Sequence, residues 1–538
     1  MQSIRVPLAL FAFQLVLSPF ASAQEARSLD VMVAMRDGVK LATTVYLPDG
    51  DGPWPLVLNR TPYDKAGAGS QAANWTNNGY VFAAQDCRGR FASEGDYVAF
   101  EHDMDDGYDT IEWLAAQDFS DGKIGIAGGS AVGMTSNLAA AADPPHLVAA
   151  YVVVAHNSLF YQTYFQGGVF REDLAGGWLT AVGVGEQVPG FRARPVMDER
   201  WKKTDLVHHI QNIDIPMYNV VGWYDIFQQG GLDNFMALQY AGAEGARGNQ
   251  KVLIGPTGHG PLSGDLEYPQ TNRPDEQMRW FDYWLKGEDN GIMDEPAVQY
   301  YMMASARKDA ASSKNGWVEA KNWPPQSDTV RFFLQDGLGL SSAAPTSSDS
   351  TTTYAFDPAD PAPTFGGQNI LIPRGPMDQR AVGERGDYLR FVSEPLEEDL
   401  IVAGKIDVEL FAATDGPDTD FMVKLVDVYP DGYEALVVDA PIRARYRDGR
   451  RAEDVSMMEP GEAAKLDVDL WSVALTFEKG HRIAVHVTSS NFPRFAVNPN
   501  TGDAPGHTLR EPRIANNTVF HEADRASAIL LPVVNRTD

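Results

Sequence analysis

Between residues 55 and 254 short apolar runs alternate with longer stretches that carry helical spacing. The runs fall at 55–59, 80–85, 123–127, 147–155, 215–221 and 251–254. Their near-continuous apolar character suits strands buried on both faces of a parallel sheet. Between two of them lies EHDMDDGYDTIEWLAAQ (101–117), with Ile111, Leu114 and Ala115 at helical spacing. Acidic residues crowd its start, where a helix dipole favours them. Strand–helix alternation of this kind predicts an α/β fold. Ahead of it, 29–48 reads as two strands joined at the turn Arg36-Asp37-Gly38.

Two stretches break the alternation. Residues 157–210 are rich in aromatics (Phe160, Tyr161, Tyr164, Phe165, Phe170, Trp178) and poor in strand signals, so they read as an inserted, mostly helical cap. Its aromatics are expected first as core and second as pocket lining. From 296 onward the texture becomes β-rich, with runs at 330–334, 405–411, 421–428, 474–477 and 482–487 between Asp, Gly and Pro turns. That pattern predicts an all-β sandwich. The Ser-, Thr- and Pro-rich stretch 341–364 is expected to be a long surface loop. The implied domains are 24–156 and 211–295 for the α/β core, 157–210 for the cap and 296–538 for the sandwich.

Charge and composition narrow the function. The 538 residues carry a net charge of −29, which repels phosphate backbones and anionic membrane surfaces. Nucleic acid is therefore not an expected partner. Residues 1–23 read as a cleaved export signal: Arg5, an apolar run of about 15 residues that is short for a bilayer span, and the small-residue site Ala21-Ser22-Ala23. The mature chain would start at Gln24 and be secreted or periplasmic, with no membrane span. The single Cys87 cannot form an internal disulfide and reads as core filler. Asp103, Asp105 and Asp109 invite a metal reading, but the calcium-loop spacing would need ligands at Gly107 and Leu114. A solvated helix start is expected there instead, with no metal.

The chemistry centres on GIAGGSAVGM (125–134), a strand that enters two glycines, a serine and a small-residue helix. The nucleophile-elbow pattern G-x-S-x-G wants glycine where Val132 stands, and Gly133 comes one place late. The turn would still expose the Ser130 hydroxyl and aim the Ala131 N–H at a developing oxyanion. In an α/β-hydrolase the acid and base follow the serine in that order, at the carboxyl ends of later strands. The strand in IPMYNVVGWYD ends at Asp225, and KVLIGPTGHG carries His259 just after its strand. Of ten histidines, only His259 meets both order and placement. Ser130, Asp225 and His259 are thus the candidate triad.

The motifs MRDGVKLATTVYLP (35–48), RTPYDK (60–65), DCRGRFASEGDY (86–97), GGSAVG (128–133), GWYDIF (222–227), GPTGHG (255–260) and SNFPRFAVNPNTG (490–502) extend over nearly the whole mature chain. Through them the chain resembles the cocaine esterase and X-prolyl dipeptidyl-peptidase-like hydrolases, a family that includes α-amino-acid ester hydrolases and glutaryl-cephalosporin acylases. The resemblance implies an α/β-hydrolase core, a helical cap and a jelly-roll-like sandwich. It implies a nucleophile pattern G-x-S-Y-x-G, which accounts for Val132 and Gly133, although Ala131 stands where tyrosine is usual. It also implies that the Tyr63 phenol is a second oxyanion donor, and that Phe227, with Trp223, lines the substrate pocket.

The resulting expectation is an exported serine hydrolase that cleaves a small-molecule ester or amide through an acyl-enzyme, with no cofactor. Its rivals are an X-Pro dipeptidyl peptidase, an α-amino-acid ester hydrolase or acylase, and a non-catalytic glycan-binding protein. Oligomeric state is left open. Recognition of a free α-amino group needs a nearby carboxylate. In the resemblance, acidic residues two and three places after the catalytic aspartate supply it, and here those places hold Phe227 and Gln228. Uncharged aromatic or apolar acyl groups are therefore expected, unless Glu172 or Asp173 enters from the cap.

Overall fold

The computed structural model describes residues 27–273, 275–308, 310–506 and 509–534. The expected export signal lies outside them. Ten strands form the first sheet: β1 (Arg27–Ala34), β2 (Lys40–Leu47), β3 (Trp54–Thr61), β4 (Val81–Asp86), β5 (Ser120–Gly129), β6 (Leu147–Val153), β7 (Met217–Tyr224), β8 (Lys251–Gly258), β9 (Val298–Met302) and β10 (Gly316–Ala320). Their spatial order is β1-β2-β4-β3-β5-β6-β7-β8-β9-β10. The strands from β4 to β9 in that order run parallel, with antiparallel pairs at both ends. The central strands are apolar because both faces are covered. On one face α1 (Asp103–Ala115) and α2 (Ala131–Ala141) set Ile111, Leu114, Met134 and Leu138 against Leu58 and Ile126. On the other, Trp280, Phe281 and Leu285 pack with Trp75 and Phe82. The fit is close: a Cβ on Gly125 would stand 2.6 Å from the Phe281 ring.

The cap is built of short helical turns, including Leu159–Tyr164, Gly177–Ala181 and Glu199–Thr204, and one small hairpin, Phe165–Gln166 with Val169–Phe170. Phe160, Phe165, Phe170, Phe191 and Trp201 pack together and continue the α1–α2 core. The C-terminal part is a β-sandwich. Its core, with Val408, Leu410, Phe421, Val423, Leu466 and Val468, is continuous with Val252, Ile254 and Tyr300 of the first sheet.

Three observations depart from the sequence expectations. The first sheet runs on through β9 and β10, past the boundary expected at 295–296. The expected loop 341–364 contains a strand, Thr351–Phe356, paired with Ala515–Phe520. Its alternation hides in its composition, since Tyr354 and Phe356 turn inward while Thr351, Thr353 and Ala355 face out. The acidic start of α1 is not simply solvated. Asp103 and Asp106 are buried and paired with Arg60 and Arg88 at 3.1 and 2.6 Å, while Asp105 and Asp109 hold Arg36 at 2.9 and 2.8 Å. Arginines from β3, the β1–β2 turn and the loop after β4 converge on it, which helical spacing alone cannot show. Burial pushes the neighbouring Cys87 thiol up, as suits an inert core side chain. Among the described residues no helix is long and apolar enough to cross a membrane, and no group of three or more His, Cys, Asp or Glu is placed to hold a metal ion.

Candidate active site

The turn from β5 into α2 places Ser130 at φ 58°, ψ −128°, a backbone region that L-residues rarely adopt. Two bonds hold it: Ser130 N–H donates to the Val153 carbonyl at 2.9 Å, and the Ser130 carbonyl accepts from Met134 N–H at 2.9 Å. The glycines around it are steric requirements. A Cβ on Gly128 would stand 2.7 Å from the Val132 carbonyl oxygen, and one on Gly133 would stand 2.9 Å from Ala155 Cβ. The crowded position after the serine is therefore 133, so Val132 is accommodated.

Asp225 follows β7 and His259 follows β8, neighbouring parallel strands with a register shift between Gly255 and Gly258. Asp225 is fully buried. Its Oδ1 accepts from Phe227 N–H at 2.7 Å, and its Oδ2 accepts from His259 Nδ1 at 2.8 Å. That bond assigns the proton to Nδ1 and leaves Nε2 as the acceptor facing Ser130 Oγ at 2.9 Å. The three candidate residues thus form one continuous hydrogen-bonded chain. The His259 turn is held from outside its own domain. Arg374 of the C-terminal part donates to the His259 carbonyl at 2.6 Å and to the Ile370 carbonyl at 2.8 Å.

Ala131 begins α2, so its N–H has no partner within the helix. Tyr63 lies on the loop after β3. As a residue it is 43% exposed, with desolvation acting on its hydroxyl end. There it accepts from Trp178 Nε1 at 2.8 Å and lies beside the Ser130 side chain, and burial holds its proton more firmly than usual. The Ala131 N–H at the helix start and the Tyr63 hydroxyl beside Ser130 are thus the two candidate donors for an oxyanion formed at the serine.

A pocket of about 310 Å³ of atom-free space, mouth included, opens at Ser130. Phe100, Met134, Leu174, Trp178, Phe227 and Ile370 form most of its wall, with Thr163 as a polar member, and among the described residues no carboxylate lines it. Phe227 sits there as expected, its ring edge-on to both His259 and His156 at 5.8 and 5.7 Å. His156 is buried and held neutral, its pKa lowered to about 3 by burial. Trp223 corrects the expectation. It is buried outside the pocket wall, its indole donating to the Tyr301 carbonyl at 2.7 Å and its ring packed on Trp323. Strand alternation turns it into the inter-domain core while the chain end beyond it carries Asp225. The two cap carboxylates are engaged elsewhere. Asp173 accepts from Ile370 N–H at 2.7 Å, and Glu172 pairs with Arg192.

Sequence reasoning missed Arg374, Ile370 and the buried Arg171, which donates to the Ile226 carbonyl at 3.0 Å. Ile370 and Arg374 lie in GGQNILIPRGP (366–376), whose glycines and prolines mark a loop without saying where it leads.

Comparison with known proteins agrees with this architecture. The model of the X-Pro dipeptidyl-peptidase (S15) family matches residues 37–193 and 190–261, and that of the X-Pro dipeptidyl-peptidase C-terminal non-catalytic domain matches 290–530. Cocaine esterase of Rhodococcus sp. (strain MB1 Bresler) is 30% identical, across 94% of this chain and 98% of that protein. An α-amino acid ester hydrolase structure superposes with a TM-score of 0.79 at 27% identity, covering 96% of this chain and 98% of the other. An aminopeptidase from a marine sediment archaeon (Thaumarchaeota archaeon) shares the fold, with a TM-score of 0.81 at 24% identity over 97% and 98% of the two chains.

Proposed function

The chain belongs to the X-Pro dipeptidyl-peptidase (S15) family of serine hydrolases, together with cocaine esterase, and from that premise we propose that it is a carboxylic ester hydrolase working through an acyl-enzyme. Ser130 Oγ attacks the acyl carbonyl while His259 Nε2 takes its proton. Asp225 orients the imidazole and stabilises the imidazolium. The Ala131 N–H and the Tyr63 hydroxyl receive the oxyanion of the tetrahedral intermediate. His259 returns the proton to the leaving alcohol, and the same steps with water release the acid. The observation that carries this reading is the Ser130–His259–Asp225 hydrogen-bonded chain opening into a carboxylate-free apolar pocket.

The same pocket favours apolar acyl groups. An ammonium bound there would lose its hydration without gaining a counter-charge. This weighs against aminoacyl esters and X-Pro peptides as substrates. We also propose export, on the strength of the leader at 1–23. A fluorophosphonate probe tests the core of the reading, with mass spectrometry expected to find the adduct on Ser130. Labelling of a different serine, or of none, overturns it. A panel of p-nitrophenyl esters against Xaa-Pro anilides tests the substrate class, and an N-terminus at Gln24 in the mature protein tests export.

A further inference from the structure

Trp178 lies in the cap helix Gly177–Ala181, yet its side chain reaches a residue of the core. An indole N–H can only donate. At 2.8 Å from the Tyr63 oxygen, it makes that oxygen an acceptor. The phenol has a single hydrogen, which must then go elsewhere. The other polar side chain beside that phenol is Ser130, whose own hydrogen faces His259 Nε2 and leaves its oxygen to accept. We infer that Trp178 is a positioning residue for the oxyanion hole: its indole holds the Tyr63 hydroxyl so that the phenolic hydrogen is aimed at Ser130 and the oxyanion formed there. The inference rests on the serine-hydrolase reading above.

Both partners are fixed independently of this bond. The Trp178 ring is stacked on Phe100, with centroids 5.5 Å apart and planes 13° from parallel. Phe100 is buried and set edge-on against His156. On the other side, Tyr63 N–H donates to Thr61 Oγ1 at 3.0 Å, and Arg90 Nε donates to the Pro62 carbonyl at 2.9 Å. The bond therefore joins two rigid supports across the core–cap boundary. A donor on the phenol oxygen also polarises its O–H, so the hydroxyl gives a stronger hydrogen bond to a developing negative charge. In keeping with this, the Trp178 bond opposes the effect of burial and eases ionisation of the phenol. The consequence is that the seating of the cap and the strength of the oxyanion hole are one variable.

A double-mutant cycle tests the coupling. Trp178→Phe keeps an aromatic ring in the pocket and removes the donor. With p-nitrophenyl phenylacetate it is expected to lower kcat about three- to tenfold, the range of one hydrogen bond, with KM changed little. In a Tyr63→Phe background the same change should cost less than about twofold, because the group it acts through is gone. Equal losses in both backgrounds overturn the inference and leave Trp178 as a pocket wall. Should Trp178→Phe fail to fold, β-(3-benzothienyl)alanine incorporated at position 178 keeps the bicyclic shape and replaces N–H by sulfur. It should reproduce the loss of kcat, and full activity of that variant overturns the inference. Unaltered activity of Ser130→Ala would instead overturn the serine-hydrolase reading, so the two failures are distinguishable.

Discussion

Two buried polar clusters in the α/β core share similar ingredients and behave as opposites. At the start of α1, Asp103 and Asp106 face Arg60 and Arg88, and Arg88 also holds Asp37 at 2.7 Å. Every charge there meets a counter-charge. At the elbow, one carboxylate, one imidazole and one hydroxyl form a chain whose far end is open. Ser130 and Ala131 border the pocket, and the Tyr63 hydroxyl lies beside Ser130. The acidic motif is the denser in titratable groups, but its charges are paired with one another. A reactive site is marked by unspent hydrogen-bonding capacity beside a cavity, not by the number of charges.

The sharpest way to break this contrast is to remove the open end of the chain. Ser130→Ala or His259→Ala should lower kcat on the order of 10⁴-fold or more, because the three groups act as a unit. Their thermal unfolding should stay close to that of the wild type. A rate loss of less than tenfold in Ser130→Ala would remove the elbow from the chemistry.

The charge-paired cluster should respond in stability rather than in rate. Asp106→Asn leaves Arg88 short of its closest partner and should cost about 3–5 kcal/mol of stability. Measured by urea unfolding, that loss should appear while kcat/KM of the folded fraction stays within about twofold. A large kinetic defect in fully folded protein would show that the two clusters are coupled.

Tyr63→Phe tests the open end more finely. Losing one oxyanion donor typically costs about 10²–10³ in rate. The loss should fall on kcat, since the interaction strengthens in the transition state. A rise in KM at constant kcat would make Tyr63 a binding residue instead.

The absence of a carboxylate from the pocket wall gives a smaller, selective effect. With one leaving group, kcat/KM for a phenylacetyl ester should exceed that for a phenylglycyl ester by about tenfold or more. A preference for phenylglycyl that vanishes on acetylating its amine would revive the aminoacyl reading.

A third kind of acid, buried Asp205 and part-buried Asp233, sharpens the comparison at its weak end. Asp205 and Asp233 have hydroxyl and amide partners, and burial raises both to about 7. Their folded-state pKa lies above the unfolded value, so the stability they favour is present at low pH and lost as pH rises through about 7. The double variant Asp205→Asn, Asp233→Asn should therefore gain on the wild type in Tm between pH 4 and pH 8. A gain in the reverse direction would mean that both acids are ionised in the fold.

Much of this was legible because it lies at strand ends. The order of Ser130, Asp225 and His259 follows from a parallel sheet whose carboxyl edge gathers them, and apolar runs locate that edge. Phe227 was legible from its place after Asp225. Trp223 was not, because motif membership does not say which face of a strand a side chain takes. The strand Thr351–Phe356 was masked by a composition that usually marks loops. The fate of the acidic helix start depended on arginines far away in sequence. Arg374 and Ile370 reach the site from more than a hundred residues beyond His259, through a loop with no periodicity to read.

The guanidinium of Arg374 gives the sandwich a share in the enzyme that its non-catalytic description leaves out. The histidine turn is clasped at its carbonyl by a side chain from the other domain. For anyone recombining such proteins, the sandwich is then not an interchangeable accessory. A transplanted one must bring an arginine of equal reach, or the imidazole loses the stop against which it is set.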